Sequence, residues 1–433
     1  MNRIAKNAVW IIACRVVQAI LAVIINMITA RYLGPSNFGL LTYASSLVAF
    51  VVPIVNLGFG EILVKEIVSD PRREGEILGT SILLSICASL GCIIGVVLFA
   101  YISNPNEPIT ITICFLYSFV LFFQALDLMQ TWFQAHLLSR YTSIVGLCAY
   151  LIVSIYKIML LVTGKSVYWF AVSNAFDCAI ITVSNIVIYT KIGNNKFSFS
   201  ASLGAKMFAK SKHYIVSAMM VSVFAQTDKI MIKLMINEEA TGYYGAAIAC
   251  ASMTSFIFTA IIDSFRPSIL EGKNSSEGVF QHRLSMLYAV VIYLSLLQSI
   301  IMTLFAKIII WILYGREYSM AISALRIVVW YTTFSYIGAI RNIWILANNQ
   351  YKYLWQINLV GASANILLNA VLIPKYGIDG AALASFLTQF FTNFILGYII
   401  KPIRPNNRLM LKSLHPAVLA DVVGTVITKR AEE

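Results

Sequence analysis

Apolar runs of about twenty residues follow one another along nearly the whole chain, and the turns between them are too short to hold anything else. The stretch TARYLGPSNFGLLTYA (29–44) shows the pattern: an apolar run over 8–30, a stop at Arg31, a turn through Leu-Gly-Pro-Ser-Asn, and a second run over 39–60. At ~1.5 Å per residue each run matches the ~30 Å of hydrocarbon in a bilayer. With 59% hydrophobic and only 12% charged residues in 433, the chain lacks the polar side chains to coat a water-soluble globule of its size. It reads as an all-α, polytopic membrane protein of about twelve transmembrane helices, over 8–30, 39–60, 78–102, 109–132, 143–163, 167–190, 213–235, 242–265, 284–306, 318–340, 354–373 and 379–400. The opening MNRIAKNAVW is short and basic, but the run behind it is too long for a signal-peptide core and carries Arg15, so it reads as an uncleaved first span.

A net charge of +13 raises the question of a nucleic-acid partner, and its distribution argues against one. With the N-terminus in the cytoplasm, the inner segments hold 22 lysines and arginines, among them Arg72, Arg73, Lys191, Lys196, Lys210 and Arg341, while the outer segments hold six: Arg31, Lys165, Lys233, Lys307, Arg316 and Lys375. That is the positive-inside bias of a multi-pass protein with both termini cytoplasmic. The lipid bilayer is the expected partner, and no nucleic acid. Seven cysteines (Cys14, Cys87, Cys92, Cys114, Cys148, Cys178 and Cys250) lie within spans with no CxxC and no metal-ligand spacing. They read as helix packing, so neither metal nor cofactor is expected.

The most polar interior segment, KIGNNKFSFSASLGAKMFAKSKHY (191–214), separates six spans from six. It suggests an N-terminal six-helix lobe over 1–190, a cytoplasmic linker over 191–212, a C-terminal six-helix lobe over 213–401 and a cytoplasmic tail over 402–433. Shifting the first half by 203 residues sets Leu33 on Ile236, Gly39 on Gly242 and Ala44 on Ala247, a faint internal repeat. Parallel repeats of this kind build many alternating-access carriers.

An ionisable residue inside a span costs about 2.5–3.5 kcal/mol on insertion scales, so such residues face a wet cavity or each other. In the first span Arg15, Gln18, Asn26 and Thr29 fall on one helical face; the alternative is that Arg15 snorkels and the amides join helices. The seventh span carries Gln226, Asp228 and Lys229, with Lys229 at the repeat position of Asn26; Asp228 could neutralise a cation on a neighbouring helix or titrate, and the alternative is a local Asp228–Lys229 pair near the outer interface. Gln124, Asp127, Thr131 and Gln134 share a face of the fourth span. Lys157 and Asp177, in the fifth and sixth, lie at similar depth and form either a buried ion pair or part of a cavity, and Arg326 in the tenth has no evident acidic partner. At inner ends Glu61 with Lys65, and Asp263 with Arg266, have the spacing of helix-end ion pairs or an inner gate.

Three motifs, RYLGPSNFGLLTYA, ILYGREYSMAISALRI (312–327) and LIPKYGIDGAALASFLTQFF (372–391), resemble in order the signatures of the polysaccharide-transporter branch of the multidrug/oligosaccharidyl-lipid/polysaccharide exporter superfamily, the Wzx-type O-antigen flippases. The resemblance spans residues 1 to about 400. It implies a V-shaped two-lobe bundle, a cavity opening alternately to each side, a polyprenyl-diphosphate-linked oligosaccharide as cargo, and antiport of a proton or sodium ion. A polysaccharide polymerase and a chain-length regulator are the protein partners it suggests. For such cargo Arg15, Gln18, Asn26, Lys229 and Arg326 are the candidates for the diphosphate and sugar cavity, because cations offset the diphosphate and the arginine fork fits its oxygens. Asp127, Asp177 and Asp228 are the candidates for ion coupling, and Glu61, Lys65, Lys157, Asp263 and Arg266 for gates or ion pairs. A drug exporter of the same superfamily would instead want a carboxylate-rich cavity. A membrane polymerase or ligase would want a large outer loop with catalytic residues, and the chain shows neither that nor a Gly-rich phosphate loop, HExxH or GxSxG. A scaffold without transport would not need polar stripes.

Overall fold

The computed structural model describes residues 3–193 and 196–418; the side chains of residues 3–13, Arg15 and Glu61 lie outside the described part. Among the described residues every regular element is helical: α1 (Arg3–Val55), α2 (Phe59–Ser69), α3 (Glu74–Ser103), α4 (Pro108–Leu126), α5 (Gln130–Ala135), α6 (Ser139–Val162), α7 (Val167–Ile192), α8 (Ala201–Met235), α9 (Glu238–Ser252), α10 (Ser255–Ser275), α11 (Glu277–Leu313), α12 (Ala321–Ala347), α13 (Lys352–Phe390), α14 (Leu396–Ile399) and α15 (Arg404–Lys412). Eight stretches are long and apolar enough to cross a bilayer, and α9 with α10, bent by 42°, makes a ninth. Two of the eight, Val16–Val55 and Lys352–Ile399, run 40 and 48 residues, about twice one crossing. Each breaks at a glycine in a conformation closed to other residues: Gly34 at φ 70°, ψ 172° and Gly377 at φ 59°, ψ −136°. Counting those halves separately, and adding α12 at 27 residues or ~40 Å, gives twelve crossing segments among the described residues.

The chain divides into two compact units, Met1–Gly242 and Tyr243–Glu433. In the first, both halves of α1 pack among α4, α6 and α8, and α4 packs on α3 and α7. The end of this unit that carries the linker is closed by an apolar cluster. Phe59, Leu63 and Ile67, one face of α2, meet Ile77 and Leu78 of α3, Trp132 and Phe133 of α5, Tyr189 of α7, and Leu203 and Met207 of α8. In the second unit α11, α12 and α13 pack in sequence around Leu284, Leu287, Tyr288, Val291, Ile340 and Ile357.

Three elements depart from the sequence reading. Helix α8 begins at Ala201, so it takes up the second half of the expected linker; the Ser200 hydroxyl accepts from the Leu203 amide and starts it there. The fourth span is broken, because α4 gives way to a 3-10 turn at Asp127–Met129 before α5. The first part of the tail is α15, anchored to α11 by Tyr288 Oη donating to Asn406 Oδ1 (3.0 Å) and by Ser285 with Ser413 (2.8 Å); residues 419–433 lie outside the described part.

The Gly34 turn sits where the chain makes its tightest approach. A Cβ on Gly39 would run into the carbonyl of Glu238, and a Cβ on Gly242 into the carbonyl of Pro35. The two contacts are copies of each other at the 203-residue offset, Pro35 with Glu238 and Gly39 with Gly242. Reciprocity of this kind is what a two-fold-related pair of hairpins makes at its axis. Gly39→Ala and Gly242→Ala should each destabilise the protein by about 1–3 kcal/mol through overpacking. Gly91→Ala, where nothing lies within 4 Å of the added methyl, should not. Thermal unfolding of the three variants in detergent checks this.

Candidate functional site

A row of polar groups runs through the first unit along one face of α7. Asn174, Asp177, Thr182 and Asn185 recur at helical spacing over 11 residues, ~16 Å. Lys157 of α6 does not pair with Asp177 as an ion pair; its Nζ donates to the Asn174 amide oxygen at 3.5 Å. Asp177 Oδ1 and Gln124 Oε1 of α4 are buried with no hydrogen-bond partner among the described residues, and the buried Asn185 amide faces Asp127. Thr182 Oγ1 donates to the Phe123 carbonyl at 3.2 Å. Asp127 stands at the break of the fourth span, where both its oxygens accept from Gln130 Nε2 at 2.8 and 2.6 Å. Leaving a buried polar atom unbonded costs about 1–3 kcal/mol, so such atoms on facing helices mark a place completed by water, an ion or a ligand.

The striped face of α1 divides. Gln18 Nε2 donates to the Gly146 carbonyl of α6 at 3.1 Å, so it joins helices. Asn26 is half-buried and engaged, while Thr29 Oγ1 is buried and unbonded among the described residues. The side chains of Arg15 and Glu61 lie outside the described part. On α8, Lys229 Nζ donates to Gln226 Oε1 at 2.6 Å rather than to Asp228, which is buried and engaged elsewhere. Arg326 is exposed on α12, Lys65 is exposed on α2, and Asp263 and Arg266 pair at 3.3 Å with both side chains more than half exposed, a contact worth little.

Sequence reasoning passed over three clusters. Lys233, taken for an interface cation, is 4% exposed and held by Glu107 at 2.7 Å and Glu238 at 3.1 Å, beside the Gly39–Gly242 crossing. Ser36 Oγ also donates to Glu238. At the linker end, buried Glu74 accepts from Trp132 Nε1 (3.1 Å) and faces His136 Nε2 at 3.3 Å. In the second unit Arg341, counted above among inner-segment cations, is buried inside α12, which runs on to Ala347. It donates to the Thr392 carbonyl (2.9 Å), Asn393 Oδ1 (2.8 Å) and Asn342 Oδ1 (3.1 Å), and Asn393 is further bonded to Gln389. A π-helical turn at Phe391–Ile395 carries both Thr392 and Asn393. The only signal for Arg341 in the sequence was the amide-rich run QFFTN on a distant segment.

Helices of this number, broken at paired glycines and carrying polar groups within the spans, make the class of a multi-pass α-helical membrane protein. The fold is shared with a lipid II flippase, MurJ, in its inward closed conformation: 13% identity, TM-score 0.72, covering 97% of this chain and 93% of that one. An inward-facing multidrug-resistance MATE transporter of the MOP superfamily matches at 11% identity and TM-score 0.64, covering 91% and 96%. A capsular polysaccharide biosynthesis protein, CapF of Staphylococcus aureus, is 19% identical over 409 residues, covering 92% of this chain and 99% of its own. Residues 4–273 match the polysaccharide biosynthesis protein family, and the chain belongs to that family.

The Glu107–Lys233 pair gives a pH test, since Glu107 lies in the turn between two crossings. Burial alone would push its carboxyl up, but hydrogen bonds from Lys233 and Thr110 and the Lys233 charge outweigh it and hold it below the ordinary carboxylate range. A depressed pKa contributes stability above the unfolded value and loses it as pH falls through the folded one. Wild type should therefore be more stable than Glu107→Gln at neutral pH, with the gap closing as pH drops below the ordinary glutamate value of about 4.3. Unfolding midpoints of both proteins across pH check it.

Proposed function

We propose that the protein carries a polyprenyl-diphosphate-linked oligosaccharide, an O-antigen or similar repeat unit, from the inner to the outer leaflet of a bacterial inner membrane by alternating access. The observation that carries the reading is the state of the intramembrane cations. Lys157 and Lys229 hydrogen-bond to amides, with Asp177 and Asp228 near enough to act on them through charge but not bonded to them, and Arg326 is exposed on its helix. A lysine sealed by carboxylates is spent on structure, as Lys233 is; a lysine held by an amide keeps its attraction for an anion. The lipid tail of the cargo belongs in hydrocarbon, while its diphosphate and sugars need a polar path past the midplane. Arg15, Lys229 and Arg326 supply that path with cations, and Gln18 and Asn26 with amides. The family membership over 4–273 and the likeness to a capsular polysaccharide protein support this class of cargo. The chain acts as a carrier, not an enzyme.

For release, the Gly39–Gly242 crossing and the Glu107–Lys233–Glu238 cluster beside it must part, since they close the end opposite the linker. Asp127, Asp177 and Asp228 are the groups through which a proton or sodium gradient would drive that opening, and an oxygen of Asp177 that is buried and unbonded among the described residues supports a part for it. The lysine and arginine bias favours a cytoplasmic linker and cytoplasmic termini, so handover to a polymerase and chain-length regulator would follow on the opposite, outer side.

Removing one charge-assisted contact to a phosphate costs roughly 1.5–3 kcal/mol, tenfold or more in affinity. In a flippase-null strain, Arg15→Ala, Lys229→Ala and Arg326→Ala should thus lose surface polysaccharide while membrane abundance holds. Full polysaccharide from all three would overturn the proposal. Full polysaccharide with lost resistance to cationic drugs would assign the chain to the exporter reading.

A further inference from the structure

Between α7 and α8 the chain runs extended as KFSFS (196–200), and its two faces do different things. The Ser198 amide donates to the Gly75 carbonyl (3.3 Å), and the Ser200 amide donates to Thr80 Oγ1 (3.0 Å), which fixes the strand along the first turns of α3. Its aromatic residues face the other way. Phe197 stacks on Tyr189 of α7 with centroids 5.0 Å apart, and both Phe197 and Phe199 stay about half exposed.

Beneath them lies a cavity of about 390 Å³ lined by Ile82, Leu83 and Ile86 of α3, Leu126 and Met129 at the fourth-span break, and Ile186 of α7. That volume falls within the roughly 300–1,000 Å³ of small-molecule sites, yet the lining offers almost no polar group. Ile82 and Ile86 stand eight and twelve residues into α3, ~12–18 Å from its start, so the cavity enters the hydrocarbon from the interface. The chain flanking the cavity lining is rich in cations, and the acid beside it, Glu76 at Ser200, is paired with Arg73. Lys191 ends α7 one turn past Ile186, Lys196 adjoins Phe197, Arg72 precedes α3, and all three are exposed. The segment 191–214 holds five lysines and no acidic residue.

We propose that this groove is a binding site for one anionic phospholipid, its acyl chain between α3 and α7 beneath Phe197 and Phe199, and its phosphate on Lys191 and Lys196. An apolar slot inside the bilayer takes hydrocarbon, and unpaired lysines at its rim select a negative head group over a zwitterionic one. The site is separate from the polar row on α7: the cargo reading needs cations inside the spans, this one needs them at the interface. The bound lipid wedges the extended segment against α3 and so braces the connection between α7 and α8.

The test uses the full-length protein purified in detergent, equilibrated with equal parts phosphatidylglycerol and phosphatidylcholine, and examined by native mass spectrometry. Wild type should retain phosphatidylglycerol in preference, and Lys191→Gln with Lys196→Gln should cut that preference roughly tenfold. Ile82→Trp or Ile186→Trp, filling the slot, should lower retention of both lipids. Retention that mirrors the supplied mixture, or a preference untouched by the lysine pair, overturns the proposal. Displacement of phosphatidylglycerol by polyprenyl phosphate in the same assay also overturns it, by giving the groove to a cargo tail. Because retention is read without transport, the outcome stands apart from the flippase reading.

Discussion

Hydrocarbon gives a buried polar group nothing to bond with, so a membrane-spanning chain gains by answering each one from within the protein. The backbone answers itself by forming helices, which is why every regular element among the described residues is one. The side chains are answered by amides and carbonyls. Gln18 reaches a carbonyl, Lys157 and Lys229 reach amide oxygens, and Arg341 reaches a carbonyl and two amides.

This choice of partners separates structure from function. Lys233 is clamped by two carboxylates beside the glycine crossing, and together they hold one end of the first unit shut. Lys157 and Lys229 are oriented by amides, with the carboxylates of Asp177 and Asp228 acting on them only through charge. Arg341 follows the same chemistry to a structural end, since its guanidinium ties α12 to the π-helical turn from fully within the protein. The Gly39–Gly242 crossing links the two themes, because a contact made only of backbone and hydrogen can part without stripping buried side chains of their partners.

The helical class and the twelve crossings were legible in the sequence because twenty-residue apolar periodicity is a bulk signal that no single residue can hide. The Gly34 turn was legible too, from Gly-Pro after an interfacial arginine. The partners were not. Whether Lys157 meets Asp177 or Asn174 is decided by about one helical step of rotation, which depth along a span does not reveal. Arg341 and Lys233 each looked like an interfacial anchor near the end of an apolar run. Arg341 is buried because α12 continues past it to Ala347, and Lys233, two residues from the end of α8, because Glu107 and Glu238 enclose it. Glu74 drew no reading from the sequence, because its contacts to Trp132 and His136 come from a segment about 58 residues away in the chain. The 203-residue repeat was faint as letters, yet its glycines meet in space as reciprocal contacts.

The central claim is that the cations inside the spans face water and the cargo's phosphates. Solvent accessibility at Lys229 tests it most directly. In a cysteine-free background, Lys229→Cys should react with a membrane-impermeant thiol reagent from one side of the membrane, and an added polyprenyl-diphosphate sugar should slow the reaction. A thiol at this position that stays unlabelled from both sides, or that labels at the same rate with and without the lipid-linked sugar, would contradict the account.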